Sequence, residues 1–322
     1  MADKKKKGFG NEQPVAVETP EEARAAAPAE GTEVDTSAPV RTLWGDAFRR
    51  LRRNKLAILA IIWIIFVVVV AATADLWVPQ ALGGPTEQLY EARLPMSADH
   101  PFGTDQVGRD VLSRVIYGAR ISLAVGLLAT AISTLIGLVM GAIAAYYGGI
   151  WDTIIMRLAD IFLAFPYTLF VIVMLAVMGS GIQNVFIAIG VLGWPSIARV
   201  FRSAILSVKS NDYVDAARAM GASDSRIIWR HIFPNSVASI VVYATMNIGG
   251  AILTEAALSF LGMGVVPPDP SWGILIQDGQ KFLATQPWLM IMPGLAILST
   301  VLAFTLLGDG LRDALDVKMK DA

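Results

Sequence analysis

The stretch SVKSNDYVDAARAMGASDSRIIWRHIFPN, residues 207–235, is a polar and closely specified segment between two long apolar runs. Asp212 is placed to cap a short helix with Asp215 at its third position, and Gly221 suits the left-handed residue that ends one. Tyr213, Ala216, Ala217 and Met220 then share one face of about two turns. Ser223 is placed to cap a second helix, with Ile227 and Ile228 apolar, that returns toward the next run and ends at Pro234. Ala216 and Ala217 are small enough for another surface to approach closely, and Gly221 turns the chain with no side chain in the way. The segment therefore reads either as a mechanical coupling element or as an amphipathic loop helix packed on its own protein.

Working outward, the chain alternates between such polar connections and uncharged runs. A helix needs roughly 20 apolar residues, at about 1.5 Å each, to cross about 30 Å of hydrocarbon. Six runs qualify: 56–74, 121–147, 154–178, 182–206, 236–261 and 282–307, the fourth being interrupted by Pro195, Arg199 and Arg202. With 322 residues, 55% hydrophobic and only 16% charged against about a quarter in soluble domains, the composition agrees with an all-α polytopic membrane protein. A net charge of −1 suggests no nucleic-acid partner, and the absence of cysteine excludes disulfides, thiolate metal sites and a cysteine nucleophile.

Charge placement orients the chain. Twenty Lys and Arg residues fall in 1–55, 199–235 and 308–322, whereas the alternate connections carry Arg93, Arg109 and Lys281, with Arg114, Arg120 and Arg157 flanking or entering helices. That bias puts both termini in the cytoplasm. Residues 1–40 are rich in Ala, Pro, Glu and Thr and read as a disordered cytoplasmic tail. Residues 41–55 place Leu43, Trp44, Ala47, Phe48 and Leu51 at helical spacing among arginines, which suits either an interfacial helix on anionic lipid or a solvated basic turn. Ala72-Thr73-Ala74 resembles a signal cleavage site, but a 19-residue run after 55 cytoplasmic residues is too long and too late for a signal peptide. Residues 56–118 form the first span and an external loop, whose Gly103, Thr104, Asp105 and Gly108 suggest turns before a short helix leading into the second span. A transmembrane core at 119–308 and a cytoplasmic tail at 309–322 complete the expected organisation.

Within the spans, ionisable groups usually face the bundle interior or a wet pathway. Glu255 reads as a pathway residue or, preferably, as a hydrogen-bonded strut between helices. Arg157 and Asp160 can pair on one helix face, and Pro166 bends the same span. Gly137 and Gly141 allow close helix approach, and Asn247 beside Gly249 and Gly250 could soften the fifth span.

Residues 215–221, DAARAMG, followed by HIFPN at 231–235, resemble the EAA loop of binding-protein-dependent ABC import permeases. The usual form is Glu-Ala-Ala, three residues, Gly, nine residues, Ile, one residue, Leu-Pro. Ala216, Ala217, Gly221 and Pro234 match at that spacing, while Asp215, His231 and Phe233 stand where Glu, Ile and Leu are commonest. RRNKLAILA (52–60), HPFGTDQVGRDVLSRVIYGARISL (100–123) and EAALSFLGMGVVPPDPSWGILI (255–276) are similar to the C-type permease of dipeptide and oligopeptide importers, so the resemblance spans about residues 49–316. It implies a type I ABC importer permease (MetI-like) fold in the inner, cytoplasmic membrane, and a heterodimer with a B-type permease subunit. It further implies two ATPase subunits or domains that bind ATP and Mg, and an external solute-binding protein. The 215–221 segment, with Met220, would sit in an ATPase groove.

The chain has no G-x-x-x-x-G-K-[ST] phosphate loop, so ATP is expected on a partner and no cofactor in this chain. An ion-gradient-driven secondary transporter is the alternative; it would call for intramembrane carboxylates and broken helices in matched halves, and only Asp160 and Glu255 are on offer. A membrane-embedded enzyme lacks support, because His100 and His231 fall on opposite sides with no ligand cluster. The solute class stays open among dipeptides, longer peptides, glutathione, nickel chelates and haem.

Overall fold

The computed structural model describes residues 43–315, and the expected tail at 1–40 lies outside them, as does 316–322. The described residues are helical apart from their connections and one isolated bridge between Thr104 and Asp110. In chain order the helices are α1 (Leu43–Leu51), α2 (Lys55–Leu82), α3 (Val111–Tyr147), α4 (Gly149–Ala164), α5 (Tyr167–Met178), α6 (Ile182–Lys209) and α7 (Asp212–Ala219). They continue with α8 (Asp224–Ile227), a π-turn at Ile228–Ile232, α9 (Phe233–Phe260), α10 (Trp272–Gln280) and α11 (Trp288–Leu315).

Local chemistry starts several of them. The Asn54 side chain accepts from the amides of Leu56 and Ala57, Asp110 from Ser113 and Ser271 from Ile274, each occupying backbone donors that a helix start leaves orphaned. Five helices are long and apolar enough to cross a membrane, and α4 with α5 makes a sixth if that bent pair is one span. Outward faces carry large apolar side chains such as Leu59, Phe66, Leu135 and Leu298, which suit contact with lipid rather than water.

The third expected span is broken rather than gently bent. Its halves meet at 90°, with Phe165 extended between them, the conformation a following proline imposes. The fourth, by contrast, is a continuous helix through Pro195, because neighbouring helices can satisfy the carbonyl that a proline frees. The expected short helix before the second span is absent as a separate element: Asp110 caps a single 37-residue helix that runs through the 118/119 boundary. The sixth span starts later than expected, since 281–287 is a turn, and runs to Leu315, into the region expected to be tail. There Ala314 and Leu315 pack with Ala47 of α1.

Helix α3 is the hub, touching α2, α4, α6, α9 and α10. Small residues bring α6 against it: a Cβ on Gly137 would lie 2.7 Å from Ile197, and one on Gly141 2.7 Å from the Ala198 carbonyl. The expected close approach at Gly137 and Gly141 is therefore made, and there is no room to enlarge either residue.

The far end of the bundle, opposite α7, is closed by the 83–110 loop. Thr104 Oγ1 donates to the Glu91 carbonyl at 2.7 Å and accepts from the Leu94 amide at 2.8 Å. Asp105 accepts from the amides of Val107 and Arg109 and from Arg114, whose side chain is 1% exposed and also reaches Asp278 of α10 at 3.2 Å. Gly103 and Gly108 take left-handed φ angles of 69° and 83° against the carbonyls of Leu94 and Tyr90, so the turns read from the sequence are present.

Candidate coupling surface and interior cavity

Helix α7 begins one residue earlier than a cap at Asp212 would allow. Asn211 is its N-cap residue, and the Asn211 side chain instead donates to the carbonyls of Ser207 and Val208 at the end of α6. Asp212 and Asp215 lie in the first turn, where the positive end of the helix favours carboxylates. Asp215 accepts from Arg218 at 3.0 Å on the exposed side.

The helix ends in a full Schellman turn. The Ala222 amide reaches the Ala217 carbonyl at 3.1 Å, the Gly221 amide reaches Arg218 at 3.0 Å, and Gly221 adopts φ 81°. Ser223 then caps α8, accepting from the Arg226 amide, as the sequence reading expects.

The apolar face differs from that reading. Val214 and Ala217 are the buried positions, and Val214 packs with Phe201, Ile205, Ile227 and Ile232. Tyr213, Ala216 and Met220 are exposed, Met220 at 82%. Positions 214 and 217 are three apart and both point at the protein, so a stripe shared by Ala216 and Ala217 divides between two directions. A Cβ on Gly221 would meet nothing within 4 Å. Among the described residues the strip stays uncovered, apart from the Tyr213 ring, whose centroid lies 6.2 Å from that of His231.

Pro234 does not end the second helix. The chain runs helically from Asp224 to Phe260, and the π-turn just before Pro234, in which the Phe233 amide bonds the Ile228 carbonyl, absorbs the register change. On the other side of α7, Lys209 Nζ donates to the Tyr146 carbonyl at 2.8 Å and sits 5.3 Å from the Tyr146 ring, a cation on the terminal carbonyls of α3.

The expected Arg157–Asp160 pair is not formed. Asp160 accepts from Arg199 of α6 at 2.5 Å, and Asp152 takes both Nε and NH2 of Arg202 at 2.5 and 2.6 Å. Arg157 lines the same open cleft beside them. Two Arg–Asp contacts thus join α4 to α6, because α6 supplies two arginines one turn apart that face the carboxylates across the interface.

Glu255 is fully buried, and two donor chains converge on it. The Trp272 amide donates to Ser122 Oγ at 3.4 Å, and that hydroxyl donates to Glu255 Oε2 at 2.9 Å. The Val265 amide donates to Ser259 Oγ at 3.2 Å, and that hydroxyl donates to Oε1 at 2.7 Å. The carboxylate thereby ties α3, α9 and the segment leading into α10.

Asn247 lines a cavity of about 290 Å³ between α3, the α4–α5 break, α6 and α9. Thr130, Ser133, Tyr167, Ser196 and Thr254 supply its polar groups, and a reading centred on charges passes them over. No signal in the sequence marks them, because hydroxyls recur along the same run at Ser122, Thr130, Ser133 and Thr134. Among the described residues no three His, Asp or Glu side chains gather in a way that would hold a metal ion.

The sequence pattern of binding-protein-dependent transport system inner membrane components matches residues 133–321, and that of the N-terminal TM domain of oligopeptide transport permease C matches 42–95. The chain is 43% identical to the dipeptide transport system permease protein DppC of Alkalihalophilus pseudofirmus over 86% of this chain and 90% of that one. It is 45% identical to the glutathione transport system permease protein GsiD of Escherichia coli over 87% and 92%. An inward-facing structure of the MetNI methionine ABC transporter superposes with a TM-score of 0.53 at 20% identity, over 64% of this chain and 97% of that one, a likeness of fold.

Proposed function

Since the chain belongs to the family of binding-protein-dependent transport system inner membrane components, we propose that it is one half of a heterodimeric pore carrying peptides or peptide-like solutes. It is a multi-pass membrane permease of an ABC importer, a transport subunit and not an enzyme. The partners in this reading are a B-type permease subunit, two ATPase subunits or domains that hold ATP and Mg, and an external binding protein that delivers solute. The end carrying α1 and α7 is cytoplasmic, a placement supported by the twenty Lys and Arg residues on that side against three on the other.

The observation that carries the reading is the division of α7 into two faces. Val214 anchors it to α6, α8 and the π-turn with Ala217 buried beside it, while Tyr213, Ala216, Met220 and Gly221 present an exposed strip. A two-turn helix held rigidly on one side and open on the other transmits displacement: a partner that moves the strip moves the helices that α7 is fastened to. Asp215 and Arg218 flank the strip with opposite charges and set the register of docking.

The test is solute uptake into proteoliposomes holding the full complex. Uptake that requires ATP and persists when ionophores collapse every ion gradient supports the importer. Uptake that follows an imposed proton or sodium gradient without ATP refutes it.

A further inference from the structure

We propose that the open cleft between α4 and α6 is a contact site for the carboxylate of the solute as it leaves, with the Arg157 guanidinium as the binding group. The inference rests on the importer reading and adds to it a place and a chemistry for solute contact.

The charges of the cleft do not cancel. Its lining sets Arg157, Arg199 and Arg202 against Asp152 and Asp160, an excess of one positive charge. Arg199 spends its guanidinium on Asp160, and Arg202 holds both oxygens of Asp152. Arg157 is left over: its side chain is exposed and makes no hydrogen bond or ion pair among the described residues. Each aspartate has its own arginine, so the repulsion that the two carboxylates exert on an incoming anion is offset.

The cleft does not face hydrocarbon. Helix α6 is long and apolar enough to cross a membrane, and α4 is half of the bent pair that passes the same test. Yet Arg199 and Asp160 keep 50% and 48% of their side-chain surface exposed. Ionisable groups in such segments turn to water or to protein, and in transporters they mark the route of the solute. In one half of a pore, the face of a span that bears charge is the face turned to the pathway. The cleft also lies toward the end that carries α7, since Asp152 is in the first turn of α4 and Arg202 is two turns before the end of α6. That end is cytoplasmic in the importer reading, and an importer releases its solute there.

The ligand class follows from the guanidinium. Its N–H donors form a planar fork that matches the two oxygens of a carboxylate, and a peptide carries a carboxylate at its C-terminus. The volume, about 470 Å³, is within the range of ligand pockets, roughly 300–1,000 Å³. An ion pair in contact with water is weak, which suits a station on an exit route that must release what it holds.

The chain has no cysteine, so Thr153→Cys, a position also in the lining, sets one thiol of this chain in the cleft. The complete importer is placed in nanodiscs, open to reagents from both faces, and treated with anionic and cationic methanethiosulfonates of similar size; the complex lacking the substitution is the blank. Both reagents should react. Arg157→Gln should lower the anionic-to-cationic rate ratio roughly two- to fivefold, the range of an exposed ion pair, while Arg157→Lys keeps it. A tripeptide at millimolar concentration should slow the anionic reagent and the same tripeptide ending in an amide should not, a difference that Arg157→Gln abolishes. Uptake of the tripeptide into proteoliposomes, from saturating loaded binding protein, should fall by a similar factor in Arg157→Gln and recover in Arg157→Lys. A thiol that neither reagent reaches is covered by lipid or by the partner subunit, and overturns the site. Equal protection by acid and amide overturns it as well, and so does an Arg157→Gln complex that fails to assemble, which assigns Arg157 to a carboxylate of the partner subunit. ATP-dependent uptake by the unsubstituted complex leaves the importer reading standing in each of those cases. An unsubstituted complex that takes up no peptide overturns the peptide reading itself, and this site with it.

Discussion

The Glu255 carboxylate accepts the Ser122 hydroxyl at 2.9 Å across the α9–α3 interface, and that hydroxyl in turn accepts the Trp272 amide. With Ser259 serving the other oxygen, each oxygen of Glu255 accepts at the end of a chain of donors. A glutamine keeps one of the two acceptor oxygens and turns an NH2 toward the other hydroxyl, whose own proton then loses its acceptor. Glu255→Gln should therefore lower the stability of the complex in detergent by about 1–3 kcal/mol, the cost of a buried group left unsatisfied. Normal melting with failed transport would instead assign Glu255 to the solute pathway.

The two small residues of α7 should respond in opposite ways. Ala217 is 6% exposed, so Ala217→Leu overpacks the seat of the helix and should cost about 1–3 kcal/mol, seen as reduced amount of permease in the membrane. Ala216→Leu points outward, and the permease should accumulate normally while co-purification of the ATPase falls. Equal membrane levels for both variants would contradict the assignment of faces.

Gly221 has a left-handed φ of 81° and open space around it. Gly221→Asn tolerates that conformation and should leave solute-stimulated ATP hydrolysis close to normal. Gly221→Trp adds strain of about 1–3 kcal/mol and places bulk on the face proposed to dock the ATPase. Insertion should survive, whereas solute-stimulated hydrolysis should drop severalfold; retained coupling in the tryptophan variant refutes docking at this turn.

Arg202 and Asp152 form a bidentate pair that is partly exposed. Their interaction should measure about 1 kcal/mol in a double-mutant cycle with Arg202→Ala and Asp152→Ala, read from melting of the purified complex. Additive effects of the two substitutions would show that the pair contributes nothing to holding α4 against α6.

Much of the architecture is legible residue by residue. The apolar runs mark the spans, Ser223 and Gly221 mark the boundaries of the connecting helices, and Gly137 with Gly141 marks the tight contact of α3 with α6. The break at Phe165–Pro166 is legible only as a bend, because a proline specifies the loss of one donor and the extended residue before it but not the direction the next helix takes. The cavity is not legible at all. A threonine in an apolar run ordinarily bonds its own helix, and nothing in the letters distinguishes Thr130 from Thr245.

By itself, then, the sequence determined the membrane-spanning segments, the short helix at 212–219 and its left-handed stop. A helix in hydrocarbon must satisfy its backbone within its own segment, and a glycine turn depends on a few adjacent residues. Only the tertiary structure decided that Asp160 is held by Arg199 rather than Arg157, that Ala217 faces inward while Ala216 faces out, and that Thr130 is left unpaired beside a cavity. Each of those outcomes depends on which helix lies opposite, and that is set by packing between segments far apart in the chain.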